Sequence, residues 1–142
     1  MIKDNQINIA LVQENPIVGN IKHNYNLVLE ARNSRNIENA DLIVFSELFL
    51  SGYPPEDLVL RHSFLDEIDT YLKLLVEETK KPGPAILVGL PVRDKNQIFN
   101  SVVLIDNGKI ISIQHKCHLP NYDVFDEERI FNKGNLPGPI NF

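Results

Sequence analysis

A single cysteine, Cys117, among 142 residues excludes an intrachain disulfide and leaves nothing that argues for an oxidising compartment. Long apolar runs are lacking as well. The longest, residues 42–45 and 102–105, fall far short of the ~20 residues needed to cross a bilayer. The segment Met1-Ile2-Lys3-Asp4-Asn5-Gln6 has no apolar core of the kind a secretion signal requires. Basic residues are outnumbered 14 to 19, giving a net charge of −5, and no Lys or Arg run exceeds Lys80-Lys81. Such a surface cannot track a phosphate backbone, so nucleic acid is not an expected partner. Glycine patterns for nucleotide phosphates are missing. A Walker loop would need glycine five residues before Gly108-Lys109, where Val103 stands, and the seven glycines nowhere spell G-x-G-x-x-G. These absences describe a soluble, cytoplasmic chain with no membrane partner.

What remains is ordinary globular usage, 43% hydrophobic and 23% charged, enough for one core of modest size and hence one domain or part of one. Residues 7–12 form a short apolar run closed by Asn15-Pro16 and Gly19, which predicts a buried strand and a turn. Asn20 can cap a helix in which Ile21, Tyr25, Leu27, Val28 and Ala31 recur at helical spacing. Residues 42–45 read as a second strand, apolar on both faces, with Glu47 just past its end. Gly52, Pro54 and Pro55 then forbid a long regular element. Ser63 is placed to cap a second helix, whose apolar stripe runs from Phe64 to Leu75 before Pro82-Gly83-Pro84. Residues 85–90 predict a third strand. After Pro91, runs at 98–105 and 110–114 flank Asp106-Asn107-Gly108-Lys109, whose Asn-Gly pair signals a hairpin. The order β-α-β-α-β-β-β gives an α/β sheet with helices layered on one face, and leaves the other apolar face wanting a cover.

Several residues can carry chemistry. Glu47, at a strand terminus, reads either as a catalytic base or as a solvated loop carboxylate, and Lys116 carries the same ambiguity. If the segment stays extended, neighbours alternate in direction, so a Lys116 facing a site would turn Cys117 away from it. His115, Cys117 and His118 lack a second ligand pair at zinc spacing, and no metal is expected.

Two blocks carry a family resemblance. Asp41-Leu42-Ile43-Val44-Phe45-Ser46-Glu47-Leu48-Phe49-Leu50-Ser51-Gly52-Tyr53 resembles the glutamate motif of the nitrilase, or carbon-nitrogen hydrolase, superfamily. The stretch from His115-Lys116-Cys117-His118-Leu119-Pro120 through Glu127-Glu128-Arg129 resembles its lysine motif, and Val88-Gly89-Leu90-Pro91 and Phe99-Asn100-Ser101 fit between them. The continuation Pro54-Pro55-Glu56-Asp57-Leu58 is similar to the glutaminase domains that serve NAD synthesis within that superfamily.

The resemblance implies a nitrilase-type α-β-β-α sandwich, of which residues 1–142 are roughly the first half of one glutaminase domain. It implies a Glu-Lys-Cys triad in which Glu47 is the general base and Lys116 the positive charge, with Glu127, or its neighbour Glu128, as an additional glutamate. Tyr53, Tyr122 and Phe125 match positions around a glutamine pocket, where plain aromatic packing is the competing reading. By the same resemblance the nucleophilic cysteine lies on a later strand beyond Phe142, and the isolated chain is expected to be inactive. No cofactor is implied for this domain, whereas ATP and Mg are implied for a synthetase domain elsewhere in the polypeptide. Glutamine, that synthetase domain and further copies of the protein are the implied partners. Another nitrilase-branch amidase and a non-catalytic interaction module are the alternatives.

Overall fold

The computed structural model describes residues 6–37 and 39–141. Its centre is one five-stranded sheet in the order β1-β2-β3-β4-β5. The strands are β1 (Ile9–Leu11), β2 (Leu42–Val44), β3 (Ala85–Asp94), β4 (Gln97–Asp106) and β5 (Lys109–His115). β1, β2 and β3 run parallel, joined through helices α1 (Ile21–Arg32) and α2 (His62–Glu78); β3, β4 and β5 form an antiparallel meander. This is the predicted order of elements.

One face of the sheet is well packed. Ile43, Ile86, Val88, Val103 and Ile105 share a core with Ile21 and Val28 of α1 and Ile68 and Leu75 of α2, all of them inaccessible to solvent. Side-chain alternation fixes the register, because a slip of one residue would send each of these to the opposite face. Two polar residues of α1 are also buried. Asn24 accepts from the Ile17 amide and donates to the carbonyls of Ile17 and Leu50, while Arg32 donates to the carbonyls of Glu78, Lys81 and Pro84. Burial lowers the Arg32 pKa from its ordinary value, with Glu78 and Asp106 opposing. These groups are tolerated inside because each hydrogen-bonding atom finds a backbone partner.

Three expectations need correction. β1 is not buried: Ile9 is 51% and Leu11 75% exposed, because these side chains stand on the sheet face opposite the helices, where none of the described residues covers them. Ser63 is not the cap of α2. The cap is Arg61, which makes no side-chain cap bond, because the 3-10 turn Glu56–Leu60 runs directly into the helix. Pro91 does not end β3, which continues to Asp94 with Pro91 opposite Asn100. Phe45 and Leu50 donate to the carbonyls of Leu87 and Gly89, so alternate residues of β3 present their polar groups toward β2. Pro91 belongs to that series beyond the end of β2, at a position where no ladder bond needs its missing N–H.

The Asn107-Gly108 hairpin is present, with φ of +47° and +73° at the two turn residues, the left-handed conformation Asn and Gly tolerate best. The β3–β4 turn uses Lys95 at φ +54° instead, without a glycine to announce it.

Candidate active site

Three chain segments converge at the C-terminal end of β2. The first is the turn after that strand, which carries Glu47. Leu48 holds a left-handed φ of +50°, an uncommon backbone for a branched apolar residue. Its surroundings enforce it: Leu48, Phe49 and Leu50 are buried, Ser51 Oγ donates to the Leu48 carbonyl at 2.9 Å, and Leu50 N donates to Gly89 O at 3.0 Å. Gly89 makes this close crossing possible. A Cβ there would lie 2.4 Å from Leu48 N and 2.7 Å from Ser46 O.

Lys116 sits immediately beyond β5. Its amide donates to Asn100 O at 2.8 Å, and its carbonyl accepts from Gly134 N at 2.9 Å, so the backbone is pinned on both sides. Glu127 opens the short helix α3 (Glu127–Ile130). That helix is tied down by Arg129, which pairs with Asp57 and, at 2.5 Å, with Asp126. The two carboxylates raise the Arg129 pKa further above its already high value.

The side chains meet around one ammonium. Lys116 Nζ donates to Glu47 Oε1 at 2.7 Å and to Glu127 Oε1 at 3.0 Å. Burial acts to lower the Lys116 pKa, but the hydrogen bonds and charges of Glu47 and Glu127 outweigh it, and the net shift is upward. Lys116 is therefore a fixed positive charge at neutral pH. Glu127 is the buried member and Glu47 the accessible one, with side chains 7% and 45% exposed. Glu128 instead pairs with Lys133 at the surface, so of the two adjacent glutamates it is Glu127 that reaches Lys116. Asn100, which the sequence did not single out as a site residue, donates from Nδ2 to Glu47 Oε1 at 2.6 Å and to Glu127 Oε2 at 3.4 Å. The available signal was the polar pair Asn100-Ser101 inside an otherwise apolar strand.

Two open clefts border this cluster. One of about 670 Å³ is lined by Glu47, Asn100, Lys116 and Cys117, with Pro137 and Ile140 at its edge. Cys117 also lines this cleft, and because β5 ends at His115, strict alternation need not extend to Lys116 and Cys117. The second cleft, about 470 Å³, is lined by Tyr53, Pro54, Phe125 and Glu127. Burial, reinforced by Glu127 and Glu47 and opposed by Lys116, raises the Tyr53 pKa, so the phenol stays protonated and available as a donor. Tyr122 is outside this lining. It is 64% exposed and packs edge-on against Phe125 with ring centroids 5.5 Å apart.

Among the described residues no group of three or more His, Cys, Asp or Glu is arranged to hold a metal, and no helix is long and apolar enough to cross a membrane. His115 is instead engaged in packing, stacked on Phe99 and hydrogen-bonded through Nδ1 to Ser101 Oγ at 2.7 Å.

Comparison with known proteins adds to this geometry. The sequence profile of the family described as "Carbon-nitrogen hydrolase" matches residues 8–140. A glutamine-dependent NAD(+) synthetase of Thermotoga maritima is 40% identical over 129 residues, which cover 91% of this chain and 22% of that protein. Among solved structures, the glutamine-dependent NAD+ synthetase of Acinetobacter baumannii superimposes with a TM-score of 0.82 at 35% identity, over 90% of this chain and 24% of the other. An amidase from Nesterenkonia sp. shares the fold, with a TM-score of 0.76 at 23% identity, over 94% of this chain and 50% of the amidase. The chain thus spans about a quarter of the length of the synthetases it matches.

Proposed function

Because the chain belongs to the carbon-nitrogen hydrolase family, we propose that it forms the base-and-cation half of a site that hydrolyses the side-chain amide of glutamine and supplies ammonia for NAD synthesis. The observation that carries the proposal is the convergence of Glu47 and Glu127 on Lys116 Nζ, at 2.7 and 3.0 Å.

A thiol of ordinary pKa ~8.5 is mostly protonated at neutral pH and needs a base to become an effective nucleophile. The Glu47 carboxylate takes the thiol proton on the oxygen that Lys116 and Asn100 leave open as sulfur attacks the amide carbonyl. The negative charge that develops on the carbonyl oxygen is met by the Lys116 ammonium, held in place before the reaction and protonated throughout. Collapse of the adduct breaks the C–N bond, and the proton on Glu47 leaves with ammonia. Water then cleaves the thioester, giving its proton to Glu47 and returning the thiol. Glu127 holds Lys116 in register, Tyr53 and Phe125 are proposed to shape the glutamine pocket, and Tyr122 supports Phe125 from outside its lining. The nucleophile is assigned to a cysteine beyond Phe142. ATP and Mg are assigned to a synthetase domain elsewhere in the polypeptide, a reading supported by the synthetases of which this chain covers 22% and 24%. Self-assembly of the full-length protein belongs to the same proposal.

The test is ammonia release from glutamine by the full-length gene product and by residues 1–142 alone. The expected result is turnover by the first and none by the second. Turnover by the short chain that Cys117→Ala abolishes would contradict the assignment of the nucleophile. Preference of the full-length protein for another amide would contradict the assignment of glutamine.

A further inference from the structure

We infer that Asn100 is a positioning residue that sets the geometry of the Glu47 carboxylate; the inference rests on the glutaminase reading above. Asn100 is 4% exposed in the middle of β4, among residues that are otherwise mostly apolar. Its main chain and side chain act on all three charged members of the cluster. The carbonyl receives the Lys116 amide at 2.8 Å, which fixes where the ammonium starts from. The side-chain Nδ2 has two protons, and the acceptors within reach are the two carboxylates, Glu47 Oε1 at 2.6 Å and Glu127 Oε2 at 3.4 Å.

The consequence is electrostatic as well as geometric. Two carboxylates share a single ammonium, and a neutral donor between them hydrogen-bonds to both without adding a further charge. Glu47 must begin each turnover ionised if it is to accept a thiol proton. Asn is suited to this place because it donates without adding charge. Asp has the same outline but, once ionised, only accepts, and would set a third carboxylate 2.6 Å from Glu47 Oε1.

The experiment compares the full-length protein with its Asn100→Asp and Asn100→Ala variants in two assays. In glutamine hydrolysis, Asn100→Asp is expected to move the acid limb of the kcat/KM pH profile upward by about one unit or more, because neighbouring carboxylates cannot all ionise. Asn100→Ala removes the donor without adding charge. It should lower kcat about tenfold or more through misplacement of Glu47, with a smaller movement of the limb. The second assay needs no turnover. A carboxyl whose folded pKa is raised contributes stability at low pH that is lost as pH rises from the unfolded value through the folded one, so the Tm deficit of Asn100→Asp should widen between about pH 4 and pH 6. A deficit independent of pH together with an unmoved acid limb would overturn the inference. If the unsubstituted protein hydrolyses no glutamine, the glutaminase reading fails, and the melting arm still decides whether position 100 lies against its carboxylate neighbours as the geometry requires.

Discussion

Replacing Gly89 with alanine tests how tightly the fold holds the Glu47 carboxylate. Gly89 is glycine for space and not for an unusual backbone angle, since its φ lies outside the left-handed region. The added Cβ would sit 2.4 Å from Leu48 N, 2.7 Å from Ser46 O and 3.0 Å from Glu47 C. All three are backbone atoms, so no side-chain rotation relieves the clash. Restoring an ordinary contact of 3.4 Å moves the turn by about 1 Å. Overpacking of this kind costs roughly 1–3 kcal/mol. Against it stands a gain of about 0.4–1 kcal/mol from restricting the unfolded chain. A net loss of about 1–2 kcal/mol should lower Tm by several degrees, at ~2–4 °C per kcal/mol for a domain above 150 residues. The catalytic effect is larger, because a shift of about 1 Å in a positioned base can cost about 100-fold in rate. Thermal melting and glutamine hydrolysis of the full-length Gly89→Ala protein measure both. Wild-type Tm with wild-type turnover would show that the turn carrying Glu47 is not wedged against β3.

Glu127→Ala should cost about 1–3 kcal/mol, because it strips a buried partner from Lys116, whereas Glu128→Ala should stay within about 0.5 kcal/mol; paired denaturant melts compare them. Burial lowers the His115 pKa, with Asp94 opposing. Its contribution to stability is therefore complete above the unfolded value of ~6.5 and is lost as pH falls below it, so acid melts should fall less steeply for His115→Gln. Residues 1–142 alone should self-associate in sedimentation experiments through the face that exposes Ile9 and Leu11, and a monodisperse monomer with a cooperative melt would count against this.

The path of the chain was largely readable because its signals are local. Asn20 caps α1 as its position suggests, Asn107-Gly108 turns the hairpin, and apolar periodicity marks both long helices. The misreadings share a cause. Whether Pro91 interrupts a strand depends on which neighbour its missing N–H would have faced, and whether β1 is buried depends on what lies over it; both are tertiary facts. The site was legible through two motif blocks, since one carboxylate after a strand looks the same solvated or catalytic. Asn100 was legible only as a polar residue in an apolar strand, and its meaning comes from residues 53 and 27 positions away.

The central claim is that Glu47 is the base of a prearranged carboxylate–ammonium site. Ammonia release from glutamine by the full-length Glu47→Gln protein tests it most directly, because Gln keeps the shape and can still accept from Lys116 while losing its basicity. The account predicts a fall of about 100- to 10,000-fold with an essentially unchanged melting profile. Turnover within a few-fold of the unsubstituted protein would contradict it.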